Sequence, residues 1–484
     1  MDAGRPLIIK NALLVDVEKG AIIQNASVVV ENGLIRSVWR DEGFFPSGAQ
    51  TLDLSGRYLM PGLIDGHCHS TSSAGFGIST FDAWRHLMQL RRNYEACIRT
   101  GVTTIRDTGA FPGLLHGFIK EMEVGTLNGP RIVFCNSITN NDGGHPDVPA
   151  SQVHRLAGPT SYVIGPMMVN YKNTDELVRV LNSNCGEAHF LKLTVDDDSM
   201  LCGKSKIPVY PDDDLKLMFD FAQRRNMPVA CHCMGGWGFD RMMKYPISCL
   251  EHLVCDVELS DRQVQTAADK KIAVVPTFHL AQLYLIEEAY PQLPQEWLND
   301  FVKNELSLRQ EHLKNISADI CDPAIHADNM VALEQYRAVP CGDMFGQKMF
   351  LPNPAPFFNM ATIGRKNMMR LKQAGVLMGV GMDAGVPMSY FGLLHRELEI
   401  LVRAGFTNVE AIQCATMNNA RIINMEDRLG SIKEGKYADM VVLKANPLEN
   451  VSNTRNPLLV IKDGNIRHSI GELVREGEAI RLAS

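Results

Sequence analysis

PGLIDGHCHS, residues 61–70, places two histidines on either side of a cysteine, directly after a Pro-Gly step and a short apolar run. Side chains i and i+2 of a strand share one face while i+1 takes the other. A strand here brings the imidazoles of His67 and His69 together and turns Cys68 away. Two convergent imidazoles are the beginning of a metal site, but His-X-His also arises by chance, so further ligands at matching places are required.

Seven more β-rich runs follow: VTTIRDTG (102–109), RIVFC (131–135), FLKLTV (190–195), PVACHC (228–233), CLEHL (249–253), IAVVPTF (272–278) and VLMGVGMDAG (376–385). Stretches with apolar residues at helical spacing separate them, as in DDDLKLMFDFAQRRNM, 212–227. Their Met and aromatic stripes read as packing of the helices on the strands. Strands alternating with helices are βα units around a parallel sheet, and eight of them predict an α/β fold, a closed (β/α)8 TIM barrel. The longest departure is about 281–360, with LPQEWLNDFVKNELSLRQEHLKNI and FLPNPAPFFNM. It is too long for an ordinary βα loop and reads as a helical insertion at the catalytic mouth, in the position of a lid.

The two chain ends are written differently. From Leu7 to Trp39 apolar and polar residues alternate, with Asn25 and ENG (31–33) as hairpin turns. GSIKEGKYADMVVLKANPLENV (430–451) and PLLVIKDGNIRHS (457–469) repeat the style, with DG at 463–464 as a further hairpin signal. Neither end has enough strands to bury a core alone, so both are expected to pair into one small β-sandwich domain. The expected division is 1–62 and 425–484 for that domain and 63–424 for the barrel.

Of the 484 residues 45% are hydrophobic and 21% charged, which supplies ample apolar material for a large core. The formal net charge is −7 and no long basic run occurs, so nothing marks a partner such as nucleic acid or an anionic membrane. The first twenty residues lack the pattern of a signal peptide or a spanning helix, and a cytoplasmic location is expected. Twelve cysteines scattered through apparent core segments read as buried thiols. Cys231 and Cys233 form C-X-C without a second pair, which does not make a structural zinc site.

In a barrel the C-terminal strand ends form the active site. Five of the eight runs end there in a potential ligand: His67 and His69, Lys192, His232, His252 and Asp383. Alone, His252 reads as a core histidine, Asp383 as a helix cap and Lys192 as an ion-paired lysine beside Asp196–Asp198. Together they read as a site for zinc or a similar divalent ion with a position left open for water. An ammonium repels such an ion. A desolvated neutral lysine can instead take up carbon dioxide and become a bridging carbamate.

PGLIDGHCH, GVTTIRDTG, LKL, ACHC, LEH, GMDAG and ATMNNARIINMEDRLGSIKEGKYADMVVLKANPLENV (415–451) resemble the amidohydrolase superfamily over nearly the whole chain. The similarity is greatest to its imidazolonepropionase-related branch, with metal-dependent Xaa-Pro dipeptidases and carboxypeptidase-like enzymes. That resemblance implies a binuclear centre of two divalent metal ions held by His67, His69, an N6-carboxylated Lys192, His232, His252 and Asp383, with Asp383 also moving protons. It further implies that His145, in NDGGHPD (141–147), contacts the scissile carbonyl. MGGWGFDRMMKY (234–245) departs from the branch after the fifth strand, and the substrate is left open. Trp237, Tyr245 and His279 read as packed or capped side chains rather than pocket lining.

The expected activity is hydrolysis of an amide or peptide-like C–N bond in a small molecule such as a dipeptide or N-acyl amino acid, by a protein that assembles as a homo-oligomer. A single-metal deaminase or cyclic-amide hydrolase is the alternative within enzymes. A non-catalytic binding homologue is the alternative outside them, and the filled ligand positions argue against it.

Overall fold

The computed structural model describes all residues except 1–4, 41–42, 44, 76–82, 146–164, 200–203, 288–292, 336–353, 471–472, 477–478 and 483–484. All eight runs form strands: β1 (Leu63–Cys68), β2 (Val102–Asp107), β3 (Arg131–Phe134), β4 (Leu191–Thr194), β5 (Val229–His232), β6 (Cys249–Glu251), β7 (Ala273–Val275) and β8 (Leu377–Met378). They are parallel and lie in two sheets, β1-β2-β3 and β4-β5-β6-β7-β8, with registers such as Leu191↔Val229 and His232↔Glu251. Backbone hydrogen bonds run between the two sheets at both ends. His189 N donates to Phe134 O at 2.9 Å ahead of β4, and beyond β8 the chain runs beside β1, with Gly66 N to Val380 O at 2.9 Å and Asp383 N to His67 O at 2.8 Å.

Glycine makes the second set of bonds possible. A Cβ on Gly381 would stand 2.5 Å from the Cβ of His67, and one on Gly385 would stand 2.4 Å from the carbonyl oxygen of His69. The glycines of MGVGMDAG thus let the segment carrying Asp383 close directly onto the one carrying the two histidines.

Strand alternation sorts the two sides of the parallel sheets. Leu191, Leu193, Cys68, Cys231 and Cys233 belong to the large core that includes the helical residues Leu215, Met218, Phe239 and Met242. Ile64, Val133, Phe190, Ala230, Cys249 and Ala273 form a separate inner cluster. The helix Asp212–Arg224 carries three aspartates in its first turn, which suits the positive end of its dipole, and buries Leu215, Met218 and Ala222. Ten cysteines among the described residues are free thiols and buried.

Both chain ends meet in one ten-stranded sheet. Tyr58–Pro61 pairs antiparallel with Met440–Leu443 (Leu59↔Val442), and Ala479–Leu482 pairs parallel with Gln50–Asp53. Ile9, Val28, Leu52, Leu59, Met440, Val442 and Ile461 share its core, so residues some four hundred positions apart are buried together. The hairpins at 31–34 and 462–465 form as expected, with Asn32, Gly33, Asp463 and Gly464 at positive φ. Asn25 does not turn the chain. The first hairpin turns at 17–20, and Asn25, at φ 52°, sits inside the strand Ala21–Glu31 where its pairing with Leu7–Asp16 slips register. Asn tolerates the left-handed conformation of a bulge as readily as that of a turn, which is why the two look alike in sequence.

The 281–360 region is helical where described: α1 (His279–Leu283), α2 (Asp300–Lys314) and α3 (Pro323–Gln335), followed by a short helix, Ala355–Asn359. The start of FLPNPAPFFNM lies outside the described residues. No helix among the described residues is long and apolar enough to cross a membrane.

Candidate metal centre

His67, His69 and Asp383 each offer a ligand atom within 4.8 Å of the others'. Asp383 Oδ1 lies 3.4 Å from His67 Nε2 and 3.1 Å from His69 Nε2. The His67 and Asp383 atoms are buried with no hydrogen-bond partner. Buried polar atoms without partners cost roughly 1–3 kcal/mol each and are rare in folded proteins unless something else engages them. The other nitrogens of the two histidines are engaged: His67 Nδ1 lies 2.6 Å from Glu251 Oε2, and His69 Nδ1 lies 2.8 Å from Gly109 O. Those acceptors place the ring protons on Nδ1 and leave each Nε2 lone pair facing Asp383.

The remaining expected residues continue from this group as a row of rings. The His67 and His252 ring centroids are 4.9 Å apart, those of His252 and His232 4.4 Å, and those of His232 and His145 4.2 Å in a stack. His252 Nδ1 lies 2.6 Å from Thr277 Oγ1. His145 is held through its backbone, whose carbonyl accepts from Asn140 and from Thr194, and its ring Nδ1 has no partner. Lys192 lies inside with 2% exposure.

The ion pair with Asp196–Asp198 that Lys192 would suggest if read alone is not found among the described residues. Asp196 instead accepts from the backbone N–H groups of Met234 and Gly235 at 2.9 and 3.1 Å, and its Oδ2 lies 3.3 Å from His232 Nε2. That nitrogen is not aligned for a hydrogen bond and has no partner. Asp196 follows the end of β4, so its side chain turns to the neighbouring loop while Lys192 stays among the inner side chains. Of the three residues read as packing, Tyr245 stacks on Phe219 at 4.8 Å and Trp237 is 44% exposed. His279 is buried with both ring nitrogens unpartnered, so it is not the capped histidine the sequence suggested.

Burial governs the site's electrostatics. It pulls His67 down to about 4, helped by Lys192, and His145 and His232 to about 3, so all three rings are neutral near pH 7. Burial also lowers Lys192, with Arg106 adding to it and Glu251 opposing. For Glu251 burial acts upward, but Arg106, Lys192 and His67 outweigh it and hold the carboxyl well below the ordinary carboxylate range. For Asp383, likewise, His67 and His69 outweigh burial and lower it. Burial works against the charged form of His69 too, but Asp383, Asp107 and Gly109 O outweigh it and raise that ring. The site therefore combines neutral imidazoles at His67, His145 and His232 with ionised carboxylates, and neutral imidazole with carboxylate is the protonation state that binds a divalent cation.

Three of the positions take a backbone conformation that L-residues disfavour: His252 at φ 73°, Thr277 at 45° and Asp383 at 48°. All three are non-glycine residues, His252 and Thr277 within two residues of a strand end and Asp383 in the segment that runs on from β8. Such strain, roughly 1–3 kcal/mol per residue, persists where the surroundings enforce it and clusters at functional sites.

Sequence reasoning missed Glu251, Arg106, Asp65 and Thr277. Asp65 Oδ1 accepts from His67 N and from Met382 N, both at 3.1 Å, tying β1 to the segment that carries Asp383. The available signal was adjacency: Glu251 precedes His252 in LEH, and Arg106 stands in TIRD at the end of β2.

The sequence profile described as the amidohydrolase family matches residues 58–467. Ochratoxinase of Aspergillus niger is 23% identical over 480 residues, covering 95% of this chain and 85% of that protein. A solved Xaa-Pro dipeptidase with bound methionine superposes with a TM-score of 0.69 at 20% identity, over 95% of this chain and 99% of its own. Molinate hydrolase also gives 0.69, at 17% identity over 96% and 94%. The profile spans the eight parallel strands, the inner histidines and the terminal-sheet strands Tyr58–Pro61, Met440–Leu443 and Leu459–Lys462, and the chain belongs to the amidohydrolase family.

Proposed function

We propose that the protein is a metal-dependent hydrolase of an amide or peptide-like C–N bond in a small molecule, such as a dipeptide or N-acyl amino acid. The observation that carries this is the convergence of buried, unpartnered ligand atoms on His67, His69 and Asp383. Family membership and the likeness to an ochratoxinase and a Xaa-Pro dipeptidase support it. In this reading β1–β8 close into a (β/α)8 barrel over 63–424, and residues 1–62 and 425–484 make a β-sandwich.

The donor set fits a divalent cation, zinc by the preference of imidazole and carboxylate ligands. His67, His69 and Asp383 would hold one ion, His232 and His252 a second, and an N6-carboxylated Lys192 would bridge them. Bound there, such ions supply Lewis acidity that polarises a carbonyl and makes water nucleophilic near neutral pH. Asp383, kept ionised by the two histidines, accepts the proton of the attacking water and delivers it to the leaving nitrogen. His145, neutral and stacked on His232, donates from its ring to the oxygen of the scissile carbonyl as charge develops on it.

The test is metal analysis of the purified protein with a hydrolysis screen of dipeptides and N-acyl amino acids, repeated on Lys192→Ala. Two tightly held ions and hydrolysis are expected of the parent. Lys192→Ala should hold at most one ion and lose nearly all activity, with partial recovery in a high concentration of a small carboxylic acid. Two ions and full activity in Lys192→Ala would sink the binuclear reading and favour a single-metal deaminase or cyclic-amide hydrolase.

A further inference from the structure

Beneath the candidate ligands a buried ion pair crosses the inner side of the parallel sheets. Glu251, at the end of β6, directs Oε2 to His67 Nδ1 at 2.6 Å and Oε1 to Arg106 Nη1 on β2 at 2.6 Å. The same Nη1 lies 3.3 Å from the carbonyl oxygen of Gly66, the residue before His67. The Arg106 guanidinium rests 4.3 Å from the centroid of the Phe190 ring, two residues ahead of Lys192. Glu251 is 0% exposed and Arg106 2%. Three strands therefore meet on one carboxylate: β1 through His67, β2 through Arg106 and β6 through Glu251 itself.

We infer that Glu251 and Arg106 form a positioning pair for the metal centre, Glu251 fixing the His67 ring with Nε2 toward the ion and Arg106 fixing Glu251. This rests on the metal-dependent reading above. An imidazole whose Nδ1–H is held by a carboxylate has one tautomer, one orientation and a more basic Nε2, and losing such a partner typically weakens metal binding 10–100-fold. Glu251 cannot swing away to ligate an ion itself, because both its oxygens are engaged. Arg106 also neutralises a carboxylate that would otherwise be buried unpaired beside the apolar inner cluster. The pair shares one carboxylate between two tasks, and those tasks separate by mutation.

The experiment measures two quantities on the full-length protein: zinc affinity, by competition with a chelator of known affinity, and the melting temperature of the zinc-free protein. Glu251→Gln keeps the shape and removes the charge. It should weaken zinc binding 10–100-fold and lower the zinc-free melting temperature, since Arg106 is then unpaired. The double variant Arg106→Met with Glu251→Leu removes both charges and should recover the zinc-free melting temperature while zinc affinity stays weak. A purely structural pair would let the double variant recover both. Zinc affinity within about threefold of the parent in the double variant, or in a folded Glu251→Gln, overturns the inference. If Glu251→Gln does not fold, the double variant alone decides. A parent that takes up no zinc even when it is supplied overturns the metal-dependent reading itself and this inference with it, whereas a parent that binds zinc alongside variants that bind equally well overturns only the positioning role.

Discussion

Two buried polar clusters lie on either side of the segment after β7, one reached by Thr277 and the other by Gln282, and they are built oppositely. In the second, Arg403 donates to both oxygens of Glu305 at 2.6 and 2.9 Å. Gln282 donates to the same carboxylate, and its own Oε1 lies 2.8 Å from His312 Nδ1. This cluster fastens α2 to α1 and to α4 (Leu394–Ala404). No fully buried polar atom of Glu305, Gln282 or His312 is left without a partner, whereas the first cluster leaves His67 Nε2, Asp383 Oδ1, His232 Nε2 and His145 Nδ1 unmatched. Both are buried and charged. What separates an anchor from a site is whether the polar atoms satisfy one another, since the uncompensated desolvation of the first cluster calls for a further group to engage it.

Breaking each cluster should give opposite outcomes. Asp383→Asn removes the proposed ligand and proton acceptor while keeping the side-chain shape, and should lower kcat by about 1000-fold or more, near the upper range for general acid–base catalysis. Its metal content should fall with it, and turnover with unchanged metal content would show that the carboxylate is not the group engaged. Arg403→Met leaves Glu305 buried without its cation and should destabilise the protein by about 3–5 kcal/mol in denaturant unfolding. The folded fraction of that variant should still hold its metal, and loss of metal would mean that anchor and site are not separate.

His145→Ala tests a residue at the edge of the first cluster. It should cost roughly 100-fold in kcat, the scale of one oxyanion donor, with metal content kept. Loss of one ion would make His145 a ligand instead. The smallest effect belongs to Cys231→Ala, on the helix side of β5, which should cost about 1 kcal/mol of stability by the scale of one buried methylene-sized group and change neither metal content nor kcat. Metal loss there would contradict the sidedness of the strand.

Much of this was legible in the sequence because a period of two is local. On β4 and β5 alternation alone turns Lys192 and His232 inward and Leu191, Leu193, Cys231 and Cys233 outward, as the core clusters record. On β1 and β6 it fails for a physical reason. Ile64 and His67 are three residues apart yet both face inward, because the pairing of β1 with β2 is irregular between Asp65 and Cys68 and resets the phase. Glu251 and His252 are adjacent, and both reach the site because His252 takes a left-handed backbone just past the last residue of β6. The first break contains Gly66, a glycine that a strand reading passes over, whereas the second has neither glycine nor proline to announce it.

The sequence by itself determined the eight strands, the union of the two chain ends and the residue types gathered at strand ends, since each is a pattern within a few neighbouring residues or a count of what a short segment cannot bury alone. Only the tertiary structure decided which polar atoms meet. The contact of His67 with Glu251 spans 184 residues and that of Arg106 with Glu251 spans 145. Asp196 pairs with a loop instead of Lys192, and Glu305, Arg403, Gln282 and His312 engage one another while His67 Nε2 and Asp383 Oδ1 are left unmatched. A polar atom's partner is set by distance in space, which no local period encodes, and the balance between a paired and an unpaired buried charge is therefore fixed only when the strands close on one another.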